Sequence, residues 1–331
     1  MSLKKKLFML NKLYRDLTRG KNFYTIAKEV HSQELGEYYF VFDEARVRSG
    51  KDQALITDFD ENGIPLNKTY VDVESDKLIY FPISIGQMGL SVFHTYWKTK
   101  SDEDADRFLK FADWYIENEE SSDDLGSRWM TNIPLPQYRN PGPWQSAFAQ
   151  SRAISILLRA YQIKGDDRYR EIAELALIPF TIPVSKGGVM SETEWGPFYE
   201  EYTAEFPVLV FNGHIFSLFG VYDLIRAFPD HGKAKSIFNS GFDTLVNSLT
   251  SFDLGNWTRY NYCQADFYPK VDTATLSYHR LHILVLTVMN KIRQSPDIEN
   301  GIKKWENFVS AKNILNAYVN KYSQLKKLNR I

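Results

Sequence analysis

The chain has 331 residues, 44% of them hydrophobic, enough for one large domain or two modest ones around a substantial core. A formal net charge of -1 excludes a global pull towards nucleic acid or anionic membranes, so any anionic ligand must be met by a local basic patch. The single cysteine, Cys263, excludes a disulfide framework and a Cys-based metal cluster and is compatible with a reducing compartment. Aromatic residues make up 15%, a content that suits stacking on the apolar faces of sugar rings as well as helix packing.

The N-terminal stretch opens with basic residues, but its apolar run, Leu7 to Leu10, is broken by Asn11 and Lys12. It predicts an amphipathic helix rather than a signal segment. No stretch approaches the roughly 20 apolar residues of a membrane span, so no span is expected and a cytoplasmic location is inferred. Glu37 to Asp43 and Ala54 to Val73 read as short strands, with Asn62-Gly63 as a hairpin turn and Pro65 implying an edge strand. Asp58, Asp60 and Asn62 also imitate the start of a calcium loop. The twelfth position, which needs an acidic ligand, is Thr69, so the hairpin is preferred and no metal is expected.

From Tyr80 onwards the pattern becomes paired helices. The predicted pairs are Pro82 to Lys98 with Glu103 to Glu117, Trp144 to Ile163 with Asp167 to Leu177, Asn212 to Phe228 with Lys233 to Leu249, and Thr273 to Ile292 with Asp297 to Val309. A last helix spans Ala311 to Leu328. The expected fold is mainly α: an incomplete (α/α) toroid of about four helical hairpins over residues 77–331, preceded by residues 1–76 with one helix and a small β-hairpin region. A helical solenoid is the competing architecture, but no sequence period supports it. In a toroid the connections Ser127 to Pro143, Pro179 to Val210 and Ser251 to Val271 gather at one end, where functional residues are expected.

Those connections and the helix after them carry Glu200, Glu201 and Tyr202, then Tyr260 and Tyr262, then Tyr278, His279 and His282. The two histidines are three apart and share a helix face, yet no HExxH or other zinc spacing accompanies them. Nucleophile elbow, phosphate loop and dinucleotide fingerprint are all missing, and no cofactor is expected. Glu200 or Glu201 with Asp266 or Asp272 leaves a glycosidase acid pair open. Several tyrosines around one acid suit a different reaction, removal of a proton from a carbon next to a carboxylate with stabilisation of the enolate.

The segments LIYFPISIGQMGL (Leu78 to Leu90), PGPWQSAFAQSRAISILLRAY (Pro141 to Tyr161), FYEEYTAEFPVLVFNGHIFSLFGVYDL (Phe198 to Leu224) and SYHRLHI (Ser277 to Ile283) resemble the C-terminal domain of the D-glucuronyl C5-epimerases. These enzymes invert glucuronic to iduronic acid within heparan-type chains. The resemblance implies Glu201 and Tyr278 as opposed acid and base, with Tyr202 and Tyr260 donating to the uronate carboxylate or serving as alternate bases. Glu200, Gln87, Gln145, Gln150 and Asn212 lie in matching blocks as candidates for sugar binding, and Trp144 and Trp195 are candidates for ring stacking. His279, Arg280 and His282 accompany Tyr278, while His94 reads as structural and His214 stays open.

One departure concerns charge. The family follows its earlier tyrosine with Asp-Leu-Arg-His, whereas Tyr260 is followed by Asn261-Tyr262-Cys263-Gln264, and the family proline after Glu-Tyr is Thr203 here. Arg259 or Arg280 is expected to replace the missing arginine and to lower a tyrosine pKa. The expected partner is an acidic polysaccharide, with no nucleic acid, and the family suggests a homodimer. Two rival functions remain: a uronate polysaccharide lyase, which shares the carbanion, and a non-catalytic glycan-binding protein on the same scaffold.

Overall fold

Capping residues set where the helices begin and end. The structure, a computed structural model, describes residues 3–18, 24–50, 56–69, 73 and 77–330, without the side chains of 3–8. After α1 (Leu3–Thr18) come β1 (Thr25–Ile26), β2 (Phe40–Val41), α2 (Glu44–Arg48) and the strands β3 (Ile56–Phe59), β4 (Pro65–Asn67) and β5 (Ile79–Tyr80). The first hairpin is α3 (Pro82–Thr99) with α4 (Asp102–Glu117), followed by β6 (Glu120–Ser122) and β7 (Gly126–Arg128). The second is α5 (Ala147–Lys164) with α6 (Asp167–Leu175), followed by β8 (Met190–Thr193) and β9 (Gly196–Tyr199). The third is α7 (Phe211–Ala227) with α8 (Gly232–Phe252), followed by β10 (Arg259–Asn261) and β11 (Asp272–Thr273). The fourth is α9 (Leu276–Ile292) with α10 (Pro296–Glu306), and α11 (Ala311–Lys327) ends the chain.

Ser101, Ser146 and Ser295 each accept a backbone N–H three residues on, opening α4, α5 and α10, and Gly165 closes α5 at φ +69°. Helix α5 is buried from Ala147 to Ala160 and α3 from Pro82 to His94, as inner helices surrounded on all sides must be. Helices α4, α6 and α10 bury single stripes and form the outer layer. Neighbouring inner helices pack in the order α3, α5, α7, α9, each backed by its outer partner. The fold is the expected mainly α, incomplete (α/α) toroid.

The N-terminal segment closes the ring. Lys291 of α9 donates to the carbonyls of Ala27 (2.9 Å) and Lys28 (2.5 Å), and His94 of α3 accepts the Tyr38 N–H on Nε2 at 2.9 Å. Burial pushes His94 down to about 3, so it stays neutral. Between those anchors the Tyr39 hydroxyl donates to Asp223 (2.8 Å), which also pairs with Arg159 (2.7 Å) and Arg226 (3.2 Å). Both arginines tether the strap as well, Arg159 Nε to the Gly36 carbonyl and Arg226 Nε to that of Ser32.

Two expectations for the N-terminal region are corrected. Only Phe40–Val41 of the run Glu37 to Asp43 is strand, because Tyr38, Tyr39, Phe40 and Phe42 are all buried and cannot alternate between a core face and a wet face. The Asn62-Gly63 hairpin forms, with Gly63 at φ +79°, but β4 lies between β3 and β5 rather than at an edge. Pro65 is its first residue, where its missing N–H is tolerated. The calcium-like acids serve the turn: Asp60 accepts from the N–H groups of Asn62 and Ile64 and from the Tyr80 hydroxyl, and Asp58 accepts from Phe59. Residues 54, 55 and 70–72 of the second predicted strand lie outside the described residues.

Asp223 is 0% exposed, so Asp223→Ala leaves two buried guanidiniums without their shared anion. The expected cost is about 3–5 kcal/mol, measured as a lower urea midpoint; an unchanged midpoint would show that the strap is held by packing alone.

Candidate active site

The connection from β9 to α7 carries the acids. Glu200 is buried, and its carboxylate accepts from the Ser191 hydroxyl (2.6 Å) and the N–H groups of Val208 (3.1 Å) and Leu209 (2.9 Å). Those bonds fold residues 200–209 into a tight loop in which Leu209 adopts φ +52°, a strained value for a residue with a Cβ. The loop is then seamed to the next connection by Tyr262 N–H to the Leu209 carbonyl (3.1 Å) and Gln264 N–H to that of Pro207 (3.0 Å). This seam brings β10, with Tyr260, beside the acid loop. Strand β10 pairs with β11, which leads directly into the first turn of α9 and Tyr278.

Glu201 faces the interior, 7% exposed, against the start of α7. A Cβ on Gly213 would stand 2.4 Å from Glu201 Cβ and 2.5 Å from Oε2, so only glycine admits the carboxylate there. Tyr202 hydrogen-bonds Glu201, whereas Oε2 has no hydrogen-bond partner among the described residues. Burial pushes the Glu201 carboxyl up to about 7; the Tyr202 bond opposes that shift and the charge of Glu200 adds to it. An acid that titrates near neutrality with an unengaged oxygen can both take and return a proton.

Tyr260 and Tyr278 complete the cluster, their half-buried rings meeting edge to face at 4.8 Å. Burial holds both phenols above the ordinary tyrosine value, and the Glu201 charge raises each further, so both stay protonated at neutral pH. The expectation that an arginine lowers a tyrosine pKa here is therefore corrected. Arg259 stacks on Tyr262 at 4.3 Å and donates to the Lys270 carbonyl. Arg280 donates to the Asp16 carbonyl of α1.

The other expected binding residues divide. Gln87 is buried within reach of the Tyr24 hydroxyl (3.5 Å), and Tyr24 in turn acts on Tyr278. Asn212 is buried beside Gly213 with Oδ1 unpartnered among the described residues. By contrast, Glu200 is consumed by its loop, and Gln150 by bonds to the carbonyls of Ser127 and Ala176. Trp144 is 1% exposed, donates to the Ile133 carbonyl and meets Tyr202 edge-on at 5.2 Å, so it orients Tyr202 rather than offering a face to sugar. Trp195 packs edge-on to Tyr262.

The histidines are core residues. His279 stacks on Trp257 at 4.0 Å and bonds Thr258 Oγ1 and the Trp305 carbonyl, and burial pushes it down to about 4. His282 lies 3.2 Å from the same hydroxyl and is held neutral by burial. His214 is sandwiched by Phe198 and Tyr199 and accepts the Tyr199 N–H on Nδ1.

A second layer was not legible in the sequence. Tyr138 packs against Tyr202 (5.7 Å) and stacks on Tyr268 (5.6 Å). Asn261 Nδ2 donates to both hydroxyls, and Tyr268 donates to Asp272 at 2.7 Å. A groove of about 1380 Å³ opens beside the cluster, not over it, and shares Tyr138 and Trp144 with it. Arg128, Arg139 and Lys186 line the groove together with Glu192, Glu205 and Asp266, so its wall carries both signs of charge in equal number. Among the described residues no group of three or more His, Cys, Asp or Glu could hold a metal, and no helix is long and apolar enough to cross a membrane.

Fold and site together define an (α/α) toroid with a buried acid–phenol cluster at its loop end. The chain belongs to the D-glucuronyl C5-epimerase C-terminus family, whose profile matches residues 123–307. It is similar to a D-glucuronyl C5-epimerase of Caenorhabditis elegans, 26% identical over 241 residues, covering 70% of this chain and 39% of the relative. It is also similar to an uncharacterized protein of Methanocaldococcus jannaschii, 25% identical over 197 residues, covering 54% of this chain and 64% of that protein. The chain thus spans less than two thirds of either curated relative. A cellobiose 2-epimerase structure from Spirochaeta thermophila shares the fold, with a TM-score of 0.50 at 11% identity over 74% of this chain and 70% of that one.

Two measurements test the site. A carboxyl whose folded pKa is raised adds stability below its unfolded value and loses it as pH rises through about 7. Glu201→Gln should therefore match the wild type near pH 4 and exceed its stability by up to about 3 kcal/mol at pH 8; a difference independent of pH would show Glu201 to be unshifted. Gly213→Ala should displace the Glu201 side chain and abolish that pH-dependent difference.

Proposed function

We propose that the chain catalyses C5 epimerisation of D-glucuronate to L-iduronate residues within a glucuronan-type polysaccharide. The observation that carries this reading is the unengaged Oε2 of Glu201, on an acid titrating near 7, grouped with two protonated phenols. Glu201 as carboxylate takes the C5 proton, and the electron pair delocalises into the uronate carboxylate. Tyr278 then delivers its hydroxyl proton to C5 from the opposite face. The enzyme is left with a protonated Glu201 and a Tyr278 phenolate, and exchange with solvent restores both. Tyr202 and Tyr260 donate hydrogen bonds to the charge as it develops. Positioned acid–base chemistry of this kind contributes of order 10² to 10⁴ in rate.

The pKa ordering supports this division of labour. A carboxyl near 7 is ionised in a useful fraction of molecules at neutral pH, whereas a phenol raised by burial keeps its proton until a stronger base forms beside it. The developing enolate is such a base. The groove beside the cluster, about 1380 Å³, has volume for sugar residues that flank the reacting one, and Arg128 and Arg139 on its wall suit their carboxylates.

Heparosan, chondroitin and other glucuronate polymers incubated with the protein in D₂O should gain deuterium at C5 without shortening. Glu201→Gln and Tyr278→Phe should each lower the exchange rate by about 10² or more. Ultraviolet-absorbing unsaturated ends, without exchange into intact polymer, would assign a lyase instead. Binding without exchange on any of the polymers would assign a glycan-binding protein.

A further inference from the structure

Lys321 lies on α11, outside the family match at residues 123–307, yet it reaches back to the cluster. Its neighbours Lys312, Lys326 and Lys327 on the same helix point into water, whereas the Lys321 side chain is only 14% exposed. Its ammonium donates to Asp272 at 2.5 Å and lies 5.0 Å from the Tyr260 ring centroid. Helix α11 is held in that register by Gln324, which accepts the Thr273 N–H and donates to Thr273 Oγ1, both at 3.0 Å. Asp272 is itself 4% exposed and shared with the Tyr268 hydroxyl, so the ion pair sits in the layer directly behind Tyr260. Taking an ammonium out of water on an otherwise solvated helix is costly unless a nearby group repays it. Asp272 offsets part of that cost, and the π face of Tyr260 offsets more.

Tyr260 connects this cation to the chemistry. Its ring meets that of Tyr278 at 4.8 Å, and its hydroxyl favours the ionised form of Tyr278. The acidic and phenolic groups around the two rings are Glu201, Tyr138 and Tyr268 on the Tyr260 side, and Glu201, Asp16 and Tyr24 on the Tyr278 side. All of them oppose negative charge on a phenol. Lys321 is the cation that lies on the ring face of this pair.

We propose that Lys321 is a positioning residue for proton transfer, its ammonium held by Asp272 against the face of Tyr260 so that it balances the negative charge left on the Tyr260–Tyr278 pair when C5 is protonated. This rests on the epimerase reading of the site. The charge forms as the proton leaves Tyr278 for carbon and disappears when solvent returns a proton, so Lys321 acts on the turnover step and contributes little to ground-state binding.

Lys321→Met should lower kcat for C5 deuterium exchange about tenfold with KM nearly unchanged, and Lys321→Arg should restore most of it. The double variant Lys321→Met/Asp272→Asn removes both charges, so neither is left buried alone, and should show the same fall in kcat with a melting temperature close to that of the wild type. Gln324→Ala, which loosens α11 but keeps the cation, separates helix docking from charge. Wild-type kcat in the double variant, or activity that follows melting temperature through the whole series without rescue by arginine, overturns the proposal. Absence of exchange in the wild type itself overturns the epimerase reading and this inference with it, an outcome distinct from exchange that survives the loss of Lys321.

Discussion

The ring depends on one buried anion. Four hairpins do not close a toroid, and the gap between α9 and α3 is spanned by an N-terminal strap with almost no regular structure of its own. Such a strap has many backbone groups to satisfy and little helix propensity to hold it. Asp223 answers both needs, because Arg159 and Arg226, which it fixes by charge, each donate through Nε to a strap carbonyl. The carboxylate also takes the Tyr39 hydroxyl, so one acid joins α5, α7 and the strap. Buried ion pairs are poor general stabilisers, but they specify register well. Here the register decides which aromatic residues plug the ring and where Tyr24 meets the cluster.

The two consecutive glutamates show how a loop separates scaffold from chemistry. Burial shifts both upwards to about 7, yet one spends its oxygens on Ser191 and two backbone N–H groups while the other keeps Oε2 open. Glu200 builds the strained turn at Leu209, and the turn aims Glu201. Their mutual repulsion has a further effect: ionising one makes the other harder to ionise, so the pair tends to carry a single charge. Each phenol that faces Glu201 feels the same field and stays protonated.

Helix boundaries were legible in the sequence to within a few residues because capping chemistry is local. Ser101, Gly165 and Pro296 mark ends that need no knowledge of the rest of the molecule. The run EYYFVFD misled for the opposite reason: its strand-like composition reflects burial on every side inside the ring. Glu201, Tyr202, Tyr260 and Tyr278 stood out by their place in the chain and took their roles from the resemblance, and the structure gathers them from two connections and the first turn of α9. His279 and His282 do share a helix face, but spacing cannot say whether that face looks into a site or into Trp257 and Trp305. Tyr138, Tyr268 and Lys321 carry no local signal at all. Their places follow from ring closure and from the docking of α11 on β11, contacts between residues far apart in the chain.

That docking also bears on how the molecule is made. Asp16 of α1 accepts from the Tyr318 hydroxyl, 302 positions later, and Lys12 donates to Ser277 across 265 positions. The first helix has no permanent partner until α9 and α11 exist. During synthesis the early helix and strap must wait exposed while the hairpins form one after another, and the cluster around Tyr260 is complete only when the two ends meet. Contacts of such long range are slow to form and leave apolar surface uncovered meanwhile. Assembly of the site is therefore tied to the end of folding, and a chain stalled before α11 would carry the acid and the tyrosines without the helix that backs them.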